Sequence, residues 1–151
     1  MKSLAIIFIF MTTIAFTNNC YSQEHLKNEV EHSYSEILLK EKWATNYILG
    51  LDSNTSTYEL TQYKPKGKFA GNITQFLDSS IFHSEYSAWC GNDNFTDVLG
   101  KYNFLGKDKI AIAVEAVSYS GEWTKPTEYR ETKYFTFTIS KIGDTLVLTK
   151  E

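Results

Sequence analysis

The chain has 151 residues, of which 42% are hydrophobic and 15% aromatic, and its formal net charge is −3. That length bounds it to one domain. Its lysines form no basic block, which excludes nucleic-acid binding led by phosphate contacts and docking to an anionic membrane surface.

The first segment reads as a targeting signal. Lys2 gives a basic start, and Leu4 to Phe16 is almost unbroken apolar. A run of roughly a dozen residues is short of the ~20 that a spanning helix needs. A secretory signal peptide over residues 1–22 is expected, and the protein is expected to be exported, periplasmic or secreted. Cys20-Tyr21-Ser22 places small residues at the positions a signal peptidase reads, so cleavage falls after Ser22. The alternative is a lipoprotein anchored at Cys20, although Thr17-Asn18-Asn19 departs from the Leu-small-small pattern that precedes a lipidated cysteine. Cleavage removes one lysine and no acid, leaving a mature charge of −4 with no transmembrane segment. Cys90 then has no partner, so packing rather than a disulfide holds the domain.

Next comes a helical segment, residues 23–42. Leu26, Val30, Tyr34, Ile37 and Leu38 recur at helical spacing from Glu24 to Lys42, with charged residues between them. From Trp43 to the end at residue 151 the period becomes two, and about eight strands are expected. They run Trp43–Leu49, Thr57–Tyr63, Lys68–Phe76, Ile81–Trp89, Thr96–Leu105, Lys109–Tyr119, Glu128–Lys141 and Thr145–Lys150, separated by Gly-, Asn-, Asp- and Pro-containing turns. Tyr58 and Leu60 share a face. So do Val98, Gly100, Tyr102 and Phe104. So do Ile110, Ile112, Val114 and Ala116, and Phe135, Phe137 and Ile139. One buried face per strand implies antiparallel pairing. The expected class is mainly β, an antiparallel up-and-down meander closing into a barrel behind one N-terminal helix, because closure removes exposed edges.

Three features resemble the bacterial lipocalin-like (calycin) domains. Trp43 opens the first strand after a helix. A meander of about eight strands follows. The ending pairs Tyr134-Phe135-Thr136-Phe137-Thr138-Ile139-Ser140 with Gly143-Asp144-Thr145-Leu146-Val147-Leu148 as a closing hairpin. Glu41 stands where the family's signature has Gly. Lys150 is the nearest equivalent of the arginine that stacks on the opening tryptophan. The resemblance implies a barrel that binds a small apolar ligand in or at its mouth.

An eight-strand barrel is wide enough either to be filled by side chains or to hold one small ligand. Candidate ligand-binding residues are Tyr58, Tyr86, Tyr102, Phe104, Glu131, Lys133, Phe135 and Phe137. Glu131 and Lys133 share the register of Phe135 and Phe137. That places them on an exposed strand end, beside a bulge, or at the rim of a cavity. The alternative function is a non-catalytic interaction module with a filled barrel, whose exposed loop runs from Tyr119 through Trp123 to Thr127.

Catalysis is not expected. His25 and His32, seven apart, lie two helical turns apart and cannot share a metal ion at ~2 Å bonds. His83 and Glu85 share a strand face, a pairing that serves catalysis or metal binding but also decorates wet sheet faces. Cys90 aligns with Phe82, Tyr86 and Ala88 and reads as a small buried residue; the alternative is hydrolase-type chemistry at His83 with Glu85, or with Cys90 as nucleophile. Asp52-Ser53-Asn54-Thr55-Ser56 opens like a calcium loop but lacks its central Gly and terminal Glu. No cofactor and no metal is expected. The partners expected are a small hydrophobic molecule or a protein.

Overall fold

The computed structural model describes residues 34–151 except Gly91 and Thr124. The expected signal peptide, Cys20, His25, His32 and most of the expected helix lie outside the described residues. The described helix, α1, covers Tyr34–Lys40. It buries Leu38 completely, and the Trp43 indole Nε1 donates to the Leu38 carbonyl at 3.1 Å. That bond satisfies one of the carbonyls a helix end leaves unpaired. Lys42, expected at the end of the helix, instead opens β1 (Lys42–Thr45).

Eight further strands follow: β2 (Thr57–Gln62), β3 (Ala70–Leu77), β4 (Ile81–Ala88), β5 (Asn94–Phe104), β6 (Lys109–Gly121), β7 (Glu128–Tyr129), β8 (Phe135–Ile142) and β9 (Thr145–Lys150). Every pairing is antiparallel. The sheet order is β5-β4-β3-β1-β2-β9-β8-β6, and β5 also pairs with β6, so eight strands close into a ring with β7 attached to β6. The mainly-β class, the antiparallel pairing, the N-terminal helix and the ring of strands are as the alternation implies.

The order departs from a plain meander at one place. β1 lies between β2 and β3, so residues 63–69 carry the chain past it, with the Tyr63 and Phe69 rings meeting edge to face at 4.9 Å. Lys64-Pro65-Lys66-Gly67 has hairpin chemistry, but β2 finds its second partner in β9.

Two irregularities shift faces. The β5–β6 register slips between Leu99 and Gly100, which pair with Ala116 and Val114, leaving Glu115 as an extra residue. Such a bulge turns the strand beyond it. Val117 is therefore fully buried and Tyr119 packs on the core, whereas Ala116, expected beside Val114, is only half-buried. The expected seventh strand is split. Tyr129 pairs with Ala116 and Phe135 with Ile112; between them Arg130 still gives its N–H to the Glu115 carbonyl at 2.9 Å, and residues 131–134 are exposed outside the ladder.

The inward face is filled. Tyr58, Leu60, Phe76, Phe82, Val98, Tyr102, Ile110, Ile112, Phe137, Ile139, Leu146 and Leu148 form one buried cluster with Trp43. Leu38 of α1 and Leu49 of the β1–β2 loop belong to the same cluster, and both are fully buried.

Candidate functional site

The first strand was expected to run to Leu49 but stops at Thr45. Residues 46–56 form a loop instead, in which Leu49 is fully buried as a plug, Ile48 is half-buried and Tyr47 is exposed. The Leu49 N–H donates to Ser84 Oγ at 2.9 Å, and Ser84 Oγ shares a 2.7 Å hydrogen bond with Thr74 Oγ1. Both hydroxyls are fully buried, so this chain satisfies polar atoms that would otherwise be orphaned. Gly50 follows with φ of 75°, a conformation that favours glycine. Its N–H donates to Tyr58 Oη at 3.1 Å. Burial, ahead of the charge of Asp52, pushes the Tyr58 phenol above its ordinary range, so it stays neutral.

Arg130, the chain's only arginine, clasps the loop from the other side. Its Nη1 donates to the carbonyls of Gly50 at 3.2 Å and Leu51 at 3.1 Å. A planar guanidinium suits such double donation, where an ammonium would not hold the same orientation. Lys150 Nζ donates to the Ser53 carbonyl at 2.7 Å and lies 3.9 Å from the centre of the Phe135 ring. Lys133 Nζ lies 5.2 Å from the same ring. Lys150 therefore meets Phe135 and not Trp43, the contact its likeness to the family's arginine implies.

These groups frame a slot of about 70 Å³ at the mouth of the ring. Tyr58, Ile112, Val114, Phe135 and Phe137 line its apolar depth, and Asp52, Arg130, Glu131, Lys133 and Lys150 stand around it. Ligand pockets usually run ~300–1,000 Å³, so the slot suits one end of a small molecule. A larger hollow of about 530 Å³ lies beside α1, walled by Lys40, Glu41, Thr61, Gln62, Lys64, Lys141 and Asp144 among others. Ile37, Trp43 and Leu146 give it an apolar share, but a ligand there must also replace the water held by its polar walls, a cost the slot does not carry.

The structure thus gathers Tyr58, Glu131, Lys133, Phe135 and Phe137 at one place, with Glu131 and Lys133 exposed at the rim. Tyr86, Tyr102 and Phe104 lie elsewhere. Tyr102 is buried, donates to the Leu77 carbonyl and packs edge to face on Phe76 and Phe104 at 5.2 and 5.4 Å. Tyr86 donates to Asp93 Oδ2 at 3.0 Å. Cys90, expected in the core, follows the end of β4 and is half-buried. The sequence reading missed Arg130, Asp52 and Lys150 as rim residues. The lone arginine was the available signal, since its fork is costly to replace with lysine.

On the outer face, His83 Nε2 and Asp97 Oδ2 are 2.6 Å apart. The hydrogen bond to Asp97, ahead of its charge and that of Glu85, raises the imidazole above its ordinary 6.5, against burial and Lys42. Because the folded value is raised, the pair's stabilisation is complete below the unfolded value near 6.5 and disappears as pH climbs through the folded one. Its size is small, since the side chains are 36% and 40% exposed. In metal-free buffer, Asp97→Asn should lower the urea midpoint at acidic pH and leave it unchanged at alkaline pH. An equal effect at both would show that the charge on His83 is irrelevant.

Comparison with known protein families, with characterised proteins and with solved structures finds no match.

Proposed function

We propose that the chain, once exported, is a non-catalytic lipocalin-like binding module that takes the narrow apolar end of a small molecule at the mouth of its strand ring. The observation that carries this reading is the apolar slot over Phe135 and Phe137, held open between the clasped β1–β2 loop and residues 130–134. About three buried methylenes contribute ~2–3 kcal/mol. Even a millimolar complex requires ~4 kcal/mol, so the rim supplies the remainder. Arg130 Nη1 is committed to two loop carbonyls and Lys150 gives one N–H to the Ser53 carbonyl, so the Lys133 ammonium and the remaining donors of Lys150 flank the slot over Phe135. An anionic or strongly polar head fits there, with Glu131 and Asp52 setting its orientation.

The test is native mass spectrometry of the chain from Gln23, purified gently from cells that exported it. A stoichiometric extra mass that leaves on denaturation is expected, and Val114→Phe, which fills the slot, should remove it. A bare mass that stays bare in a mixture of lipids and metabolites would overturn the reading. The filled interior favours a second reading, an interaction module that uses its outer surface. Trp123, 39% exposed, then presents its ring beside Lys125, whose Nζ is 4.9 Å from it. A Trp123→Ala chain that captured every partner of the parent would remove that loop from consideration.

A further inference from the structure

We propose that His83, Glu85 and Asp97 bind one divalent transition-metal ion of the zinc class on the outer face of β4 and β5. His83 and Glu85 are two apart on β4 and share its outward face. Asp97 stands directly across from Glu85 on β5. One nitrogen and two carboxylate oxygens from the three residues all lie within 4.8 Å of one another.

Ordinary sheet decoration accounts poorly for this arrangement. Like charges directly opposite across an antiparallel pair are destabilising. Here Glu85 faces Asp97, and the residues flanking that pair are Ile73 on β3 and Ser118 on β6, neither of them cationic. His83 gives its hydrogen bond to Asp97, and Glu85 has no hydrogen bond or ion pair among the described residues. Lys42 on β1 makes itself felt at His83 from beyond Gln75. A divalent ion held between the three groups neutralises both carboxylates.

The donor set selects the metal. Imidazole suits zinc, copper, iron and nickel, whereas magnesium and calcium take oxygen alone. Two ligands ~2.0–2.1 Å from a tetrahedral ion are about 3.3 Å apart. His83 Nε2 and Asp97 Oδ2, now 2.6 Å apart, need open only slightly, and both are half-exposed and free to do so. The ion takes the place of the bridging proton, which leaves to solvent. Three protein ligands at a half-exposed surface leave one position for water. The slot at the mouth is a separate place, so the two proposals stand or fall independently.

The test is competition for Zn²⁺ between a chromophoric chelator and the chain from Gln23. One equivalent is expected to bind. His83→Ala and the isosteric Asp97→Asn should each weaken binding at least about tenfold, as loss of a metal's supporting groups does. Glu85→Gln should do the same. A chain with both His25→Ala and His32→Ala should bind as the parent does. Excess Ca²⁺ or Mg²⁺ should not displace the zinc. Binding that is absent, or unchanged in Asp97→Asn and Glu85→Gln chains of native circular dichroism, or abolished with His25 and His32, would overturn the site.

Discussion

Gly100→Ala should unfold the domain at moderate temperature or cost at least the ~3 kcal/mol at the upper end of ordinary overpacking. Gly100 lies at the β5–β6 bulge, opposite Phe82 on one side and Val114 on the other. A methyl group there would stand 2.3 Å from the Ala113 carbonyl oxygen and 2.4 Å from Phe82 Cε1. The ring could tilt away, but the carbonyl belongs to the ladder and cannot move without breaking it. Phe82 covers the glycine and is itself fully buried. Denaturant unfolding of Gly100→Ala beside Gly100→Ala/Phe82→Leu separates the two clashes. Relief of the ring alone should recover little. Near-parental stability of the single variant would mean that the bulge does not sit where Leu99 and Gly100 place it.

Ser84→Ala should cost about 2–3 kcal/mol, because a buried donor or acceptor left without a partner forfeits its full desolvation. The variant orphans the Leu49 N–H and deprives Thr74 Oγ1 of its partner in one step. Out of a typical stability of ~5–15 kcal/mol, that is a large share. It should also loosen the β1–β2 loop, so amide exchange from residues 47 to 52 should quicken more than exchange in β3 and β9. Ser84→Thr, which keeps the oxygen but adds a methyl group, separates the lost hydrogen bond from overpacking. Uniformly faster exchange across the sheet would mean that Ser84 supports the ring as a whole and not the loop.

Much of this architecture is written in period-two alternation. Tyr58, Leu60, Val98, Tyr102, Phe137 and Ile139 face inward as their spacing implies, and the closing hairpin falls between Ile142 and Thr145. The misreadings share one cause, which is that partners are chosen across the ring. The bulge at Glu115 has no mark on its own strand, and its one signal, Gly100, lies across the ladder on β5. Tyr47-Ile48-Leu49 has strand composition, but its leucine is worth more as a plug, and Ser84 satisfies its N–H from 35 residues away. The polar register of Glu131 and Lys133 left an exposed strand end, a bulge and a cavity rim all open, because charged side chains resist burial, and both side chains are exposed in the segment between β7 and β8. The third group beside His83 and Glu85 was hidden because Asp97 reaches them through strand pairing, which no spacing in the chain expresses.

The proposal that a ligand sits at the mouth and not within the ring is tested most directly by amide and methyl NMR of the labelled chain from Gln23, titrated with octanoate. Shifts are predicted at residues 50–58, 112–114, 130–137 and 150, with Phe76, Phe82 and Tyr102 unmoved. An unchanged spectrum at millimolar octanoate, or shifts centred on Phe76, Phe82 and Tyr102, would contradict it.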